Sequence, residues 1–371
     1  MNLPQDRLPR TWQCLEDGRR EGLHLGAQLS VWLREEEAAD FALGENRPGE
    51  ALTPEHLMLW LSTSKPVTAV LLGQLWQEGR LELDEPIARY IPEFAAGGKE
   101  AITLRHALTH TGGFRMLEVG WPETGWEETV ARICATRREP RWVPGQKAGY
   151  HQSSSWFVLG EVARRLDGRP FERLVRERIF EPLGMEDCWI GLPAERYRAY
   201  ADRIAATWDT TSSPPSRFGW DSELHTVRPS PAGGGRGPMR QLARFYRMLA
   251  GGGRLGETRL LSPQTVEALT ARHRVGLFDH TFRHVMDWGL GFIPDSKQYG
   301  EAVPYAYGGH CSARTVGHSG YRSSTAFMDR EHGLVVALAF NGLPDDATHA
   351  RRIRQVLEAL YQDLGLVATE A

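Results

Sequence analysis

The chain has 371 residues, 41% of them hydrophobic and 25% charged, which supplies core material for one large domain or two intertwined ones. A formal net charge of −3 leaves no basic footprint for nucleic acid, and no apolar run approaches the length of a membrane-spanning helix. Cys14, Cys134, Cys188 and Cys311 stand far apart and read as free thiols of a reducing compartment rather than as disulfides or zinc ligands. The stretch Met1 to Arg7 lacks the charged-then-apolar pattern of a secretory signal, so a cytoplasmic location is expected.

Pro9 to Arg20 has the spacing of a short amphipathic helix. Ala27, Leu29, Val31 and Leu33 then alternate with Gln28, Ser30 and Trp32, the period of a strand. Arg34-Glu35-Glu36-Glu37 reads as a charged turn, and Ala38 to Gly44 returns as the second strand of a hairpin.

From Trp60 to Leu72 a polar start runs into a segment that is apolar almost all round, which suits a helix in the middle of a protein. Pro66 is tolerated only in a first helical turn, so the helix is expected to begin close to Ser62 or Thr63. Gly79 supplies a left-handed stop. Ser62 and Lys65, three apart, share a helix face. The hydroxyl there feels the positive end of the helix dipole. An amine pressed against apolar surroundings loses basicity, which is what a general base needs. The chain has only four lysines (Lys65, Lys99, Lys147, Lys297), yet a serine three before one of them is by itself a weak signal.

Ile102 to His110 reads as a short helix with Thr103 near its start. Ser155–Asp167, Pro170–Phe180 and Gln241–Leu249 are further helices, and Ser262-Pro263 opens another. Thr210 to Pro238 is poor in apolar residues and rich in Pro, Gly and Ser, an irregular stretch of the kind that often forms a lid or rim. Ser323–Met328 and Leu334–Phe340 pair as strands, the second apolar throughout as in the centre of a sheet. A last helix carries Ile353, Val356, Leu357, Leu360, Tyr361 and Leu364 on one stripe. Strands near both ends with helices between them imply an α/β part formed by 1–80 and 285–371, and a mostly helical part over 81–284.

A serine–lysine site also needs a relay for the leaving group's proton and donors for an oxyanion. Tyr150, in the loop before the Ser155 helix, and His318, within Gly317-His318-Ser319-Gly320-Tyr321, are the candidates. Gly320 lets a ligand approach the backbone closely. His106/His110 and His280/His284 stand four apart, but neither pair carries the glutamate of a zinc-protease helix, so no metal is expected. The glycine triplets at 233–235 and 251–253 lack a following Lys-Ser/Thr, so no phosphate cradle and no cofactor are expected either. Trp121, Trp126, Trp208, Trp220 and Trp288 suit a pocket wall or core packing equally.

With these pieces the chain resembles the serine β-lactamase and penicillin-binding-protein superfamily. Within it, the resemblance is to class C β-lactamases and the related Ser-x-x-Lys carboxylesterases and transacylases. The likeness covers nearly the whole length. It takes in Ser62-Thr63-Ser64-Lys65, Gly79 to Pro86, Ile102 to Arg105, Leu108 to Gly113, Pro144-Gly145, Pro182 to Met185, Pro231 to Gly234 and Gly317 to Gly320. Each is weak alone; their common order makes the signal.

The resemblance implies an α+β, β-lactamase/transpeptidase-like fold: an antiparallel sheet flanked by N- and C-terminal helices, with an inserted mostly helical domain. It implies that Ser62 attacks a carbonyl, that Lys65 helps to deprotonate it, and that Tyr150 exchanges protons with the serine and the leaving group. The backbone N–H groups of Ser62 and Tyr321 then form the oxyanion hole. His318 stands where many β-lactamases carry the lysine of Lys-Thr-Gly, and a neutral imidazole brings one donor and no full charge. The family's Tyr-x-Asn is Tyr150-His151-Gln152 here, so either Gln152 or Ser153 takes the place of the asparagine that helps to hold a β-lactam's side-chain amide. Arg322 is the candidate replacement for the lost cation.

These departures point to a carboxylesterase-type hydrolase acting on a small ester or amide through an acyl-enzyme on Ser62. Acyl transfer to an amine or alcohol, or weak β-lactamase activity, is the alternative within the family. A non-catalytic binding protein on the same fold is the rival from another class, and intact Ser62, Lys65 and Tyr150 argue against it.

Overall fold

The computed structural model describes residues 4–367. The outermost residues of the N-terminal stretch and of the α/β part, 1–3 and 368–371, lie outside the described residues. The two ends of the chain meet in one sheet. Its strands are β1 (Gly26–Leu33), β2 (Glu36–Arg47), β3 (Glu50–Ala51), β4 (Ile293–Pro294), β5 (Thr315–Ser319), β6 (Ser324–Asp329) and β7 (Leu334–Phe340). They lie in the order β4-β5-β6-β7-β1-β2-β3, each antiparallel to its neighbours. The N-terminal and C-terminal hairpins are zipped together where Ala27 faces Phe340 and Val31 faces Val336. The first hairpin turns more tightly than its charged run suggests. Arg34 and Glu35 alone take positive φ, 51° and 70°, a two-residue turn whose twist matches the strands, so β2 starts at Glu36.

Helices α1 (Pro9–Arg20), α5 (Met239–Ala250) and α6 (Asp346–Asp363) pack on the sheet, while α2 (Lys65–Gln77), α3 (Leu104–Leu108) and α4 (Ser154–Asp167) pack on one another. β7 shows how both faces are used. Leu334, Val336, Leu338 and Phe340 pack in one apolar cluster with Leu15 of α1 and with Val356, Leu357 and Leu360 of α6. Val335, Ala337 and Ala339 join the cluster that holds Leu242, Phe245 and Leu249 of α5. Small residues on that face let α5 approach the sheet. The polar half of β1 is buried too, not solvated. Gln28 accepts the Met239 N–H at the start of α5 (3.0 Å) and donates to the carbonyls of Thr53 (2.8 Å) and His56 (2.9 Å). A helix-end donor that has no partner within the helix is satisfied this way.

α2 is buried at every position from Lys65 to Leu75. It does not start as a plain α-helix at Ser62. A 3₁₀ turn, Leu61–Ser64, comes first, and the Lys65 N–H closes it on the Ser62 carbonyl. The cause is Pro66. Lacking an N–H, it cannot give that carbonyl the usual i+4 bond, so the chain takes the tighter turn. Thr103 caps α3 and His106 completes a capping box with it. The stretch from Pro170 splits into an α-turn, Phe171–Val175, and a π-turn, Arg176–Phe180. The irregular segment 210–238 ends in a strand, Gly235–Gly237, that pairs with Met58–Leu59 just ahead of the Leu61 turn. Among the described residues, no helix is long and apolar enough to cross a membrane.

Candidate active site

The turn before α2 holds Ser62 in a constrained setting. Leu61 has φ +50°, uncommon for any residue but glycine. Its conformation is held by the Ser64 hydroxyl, which donates to the Leu61 carbonyl (2.6 Å) and accepts the Gly235 N–H (2.9 Å). Thr63 Oγ1 lies 2.8 Å from Ser324 Oγ, and that hydroxyl donates to the Trp60 carbonyl at 2.6 Å. The hydroxyls on either side of Thr63 thus differ in use: Ser64 is bound into the scaffold, and Ser62 meets an amine and a phenol.

Lys65 Nζ lies 2.9 Å from Ser62 Oγ and donates to the Ala232 carbonyl at 2.7 Å. The Tyr150 phenol donates to the same Ser62 oxygen at 2.8 Å. Lys65 is fully buried and has no carboxylate partner among the described residues. Burial therefore pushes its pKa well below the ordinary lysine value. The rings of Tyr150 and Trp156 flank the amine, with centroids 5.1 and 5.6 Å from Nζ. Burial likewise raises the Tyr150 pKa well above that of a free phenol, reinforced by Tyr305 nearby. The arrangement is a hydroxyl between a weakened base and a phenol that keeps its proton. It can move a proton from serine to amine while a second proton stands ready for a leaving group.

His318, on β5, is completely buried, and its ring centroid lies 6.4 Å from that of Tyr150 and 5.8 Å from that of Trp288. Nδ1 lies 2.9 Å from the Ser319 carbonyl. A carbonyl only accepts, so Nδ1 carries the proton and Nε2 offers a lone pair. Burial, then the charge of Lys65, holds the pKa of this imidazole well below the usual value. The one donor expected of His318 is thus already engaged, and what remains is an acceptor.

The other expected residues are placed as follows. A Cβ on Gly320 would sit 2.4 Å from the Trp60 carbonyl oxygen and 2.4 Å from Ser324 Oγ. The close approach that requires glycine is thus made by the protein's own backbone. Tyr321 is 43% exposed, and its N–H has no partner among the described residues. Arg322 turns away to a two-pronged pair with Asp346 at the start of α6 (2.7 and 2.8 Å), so its charge is taken up there. Gln152 is exposed and Ser153 half-buried. Among the described residues no hydrogen bond joins either side chain to Ser62, Lys65 or Tyr150. The Ser153 carbonyl instead accepts the N–H groups of Trp156 and Phe157 at the start of α4 (3.0 and 3.2 Å).

Asp279 and the Ala232 carbonyl escaped sequence reasoning as contributors, whereas Trp288, left open there between pocket wall and core, packs on the site. The Ala232 carbonyl lies in the segment read as a lid or rim, and here that segment supplies a wall against Lys65. Asp279 accepts the Tyr150 N–H at 3.1 Å and pairs with Arg274 at 3.1 Å. His110 and Trp288 pack on the Tyr150 ring, with centroids 4.7 and 5.7 Å away. No signal in the sequence marks an isolated aspartate as a neighbour of a tyrosine so far back in the chain. Trp121 and Trp126 line a cavity of about 300 Å³ whose walls do not include Ser62, Lys65 or Tyr150. Among the described residues no group of three or more His, Cys, Asp or Glu side chains is arranged to hold a metal ion.

Comparison with known proteins places the chain among relatives. A family model described as beta-lactamase matches residues 13–361. The chain is 25% identical over 363 residues to the esterase/beta-lactamase LipL of Mycobacterium tuberculosis, covering 90% of this chain and 80% of LipL. The crystal structure of a family VIII carboxylesterase superimposes with a TM-score of 0.80 at 26% identity, covering 96% of this chain and 97% of the other. A penicillin-binding-protein homologue from Caulobacter crescentus does so with a TM-score of 0.79 at 29% identity, covering 97% and 99%.

Proposed function

The chain belongs to the beta-lactamase family and is a serine hydrolase of the carboxylesterase type; from that premise we propose that Ser62 is its nucleophile and that catalysis runs through an acyl-enzyme of the Ser-x-x-Lys kind. The observation that carries the reading is the double contact at Ser62 Oγ, with Lys65 Nζ at 2.9 Å and the Tyr150 phenol at 2.8 Å. As Oγ attacks an ester carbonyl, the neutral amine of Lys65 takes the serine proton. The charge that develops on the carbonyl oxygen is met by the N–H groups of Ser62 and Tyr321. The Tyr150 phenol gives its proton to the departing alkoxide and recovers one from Lys65. Water then attacks the acyl group, and the same two groups carry its proton back to Ser62 Oγ.

Selectivity follows from what faces the site. A β-lactam presents a carboxylate, and the cations that could meet it are missing or engaged: a neutral imidazole with its proton on the Ser319 carbonyl stands at 318, and Arg322 is held by Asp346. The proposed substrate is therefore a small uncharged ester. The four unpaired thiols suit a reducing, cytoplasmic setting.

Steady-state assays on one preparation test the reading. Short-chain p-nitrophenyl esters should turn over measurably, and penicillins and cephalosporins poorly. Ser62→Ala should abolish turnover, and an acyl-forming inhibitor should add its mass at Ser62. An adduct on Ser64 or Ser153, or a kcat/KM for a penicillin well above that of the best ester, would overturn the proposal. Product analysis with added amine or alcohol shows in the same assays whether the acyl group is also transferred.

A further inference from the structure

We infer that His110 and Asp279 are positioning residues for Tyr150. They hold the main chain on both sides of it so that the phenol meets Ser62; this rests on the role proposed above for Tyr150. Tyr150 lies in a segment without helix or strand, so no regular ladder fixes its backbone. Three consecutive amides are tied nonetheless. The Gly149 N–H donates to the His110 carbonyl (3.0 Å), the Tyr150 N–H to Asp279 Oδ1 (3.1 Å) and the His151 N–H to His110 Nδ1 (2.9 Å). The Tyr150 carbonyl is held as well, by the Thr281 hydroxyl at 3.1 Å.

His110 thus grips the chain before and after Tyr150, once with its backbone and once with its ring. It does so from a left-handed backbone conformation, φ +58°. Asp279 Oδ1 also accepts the N–H groups of Thr281 (2.9 Å) and Phe282 (3.0 Å), which locks the carboxylate in place. The two anchors are joined. Arg274 pairs with Asp279 at 3.1 Å, with both side chains almost wholly buried, and its Nη1 donates to the carbonyl of Thr109, the residue before His110, at 3.2 Å. Among the described residues neither His110 nor Asp279 has a hydrogen bond to Ser62 or Lys65. Their effect on the reaction runs through the position of Tyr150.

The test is a double-mutant cycle on ester hydrolysis with folded proteins. His110→Ala removes the side-chain grip. His110→Asn keeps an oxygen near the place of Nδ1, and asparagine tolerates positive φ. A misplacement of about 1 Å costs on the order of 100-fold, so His110→Ala should lower kcat about 10- to 100-fold. KM should stay within about threefold, because ground-state binding is not what is lost. His110→Asn should recover most of the loss. In a Tyr150→Phe background His110→Ala should add less than about a twofold further loss, because residues that act as a unit are not additive.

Full additivity of His110→Ala on an impaired Tyr150→Phe would overturn the inference, as would a folded His110→Asn no better than His110→Ala. If Tyr150→Phe alone keeps wild-type kcat, the role of Tyr150 falls first and this inference with it. Should His110→Ala fail to fold, the pair Arg274→Met with Asp279→Ala enters the same cycle with the same expectations. It withdraws the second anchor without leaving one buried charge unpaired.

Discussion

A primary amine buried on every side, with no carboxylate beside it, binds a proton less tightly than the same amine in water. Lys65 is in that position, and the consequence reaches beyond catalysis. Its folded-state pKa is depressed, whereas in the unfolded chain it returns to about 10.4. Between those two values unfolding takes up a proton, so stability contributed through this group rises with pH and falls as pH is lowered. Lys65→Met removes that dependence along with the base. Turnover should be lost, and the Tm of the variant relative to wild type should climb as pH is lowered from about 9 toward neutrality. Calorimetric scans of both proteins at stepped pH measure it. A Tm difference that does not change with pH would mean that the amine keeps its ordinary pKa in the fold. The Ser62–Lys65 pair was legible in the sequence because three-residue spacing at a helix start is a local property. The proton on His318 was not, because it is decided by the Ser319 carbonyl lying 2.9 Å from Nδ1.

At the scale of elements, the nucleophile turn depends on the turn between β5 and β6 pressing on it. Ser324 Oγ donates to the Trp60 carbonyl, and Gly320 leaves no room for a side chain between them. Gly320→Ala would drive a methyl group to 2.4 Å from that carbonyl and 3.1 Å from Leu61 Cβ, so Ser62 and the strands must move apart. The expected cost is about 1–3 kcal/mol in stability, as for other overpacked sites. A drop in kcat should accompany it, because the displaced backbone carries the nucleophile. Denaturant midpoints and ester kinetics on one preparation check both. An unchanged midpoint with wild-type kcat would show that the two turns are not mechanically coupled. The start of α2 carries the same lesson in milder form. Proline chemistry located the helix start to within a few residues, yet the 3₁₀ turn follows from a single missing donor.

For the molecule as a whole, the site sits at the junction of parts far apart in sequence. The sheet is completed only when β1 pairs with β7, and α1 and α6 cover the resulting outer face. Leu338 lies in that outer cluster, fully buried, on the face opposite α5. Leu338→Ala should therefore cost about 2–5 kcal/mol of stability, while kcat per folded molecule stays near wild type. A denaturation curve paired with active-site titration separates the two effects. A variant that keeps its stability would show that the terminal helices do not load the sheet at this point.

Local features were readable from the residues alone. The helix Pro9–Arg20 has the bounds its spacing implied. The C-terminal strands, the buried α2 and the order of the family motifs were equally readable, because periodicity, proline and glycine act within a few residues. Membership of the beta-lactamase family was readable too, since that rests on many short motifs in order. What each group faces depends on contacts between distant segments. Tyr150 reaches Ser62 across 88 residues, and the Ala232 carbonyl reaches Lys65 across 167. Gln28 caps a helix instead of meeting water, Arg322 answers Asp346 instead of a substrate, and His318 presents a lone pair instead of a proton. The physical reason is the same in each case. A hydrogen bond depends on distance and direction to within a few tenths of an ångström, and in this protein those distances are set by pairings between strands and loops that no local pattern records.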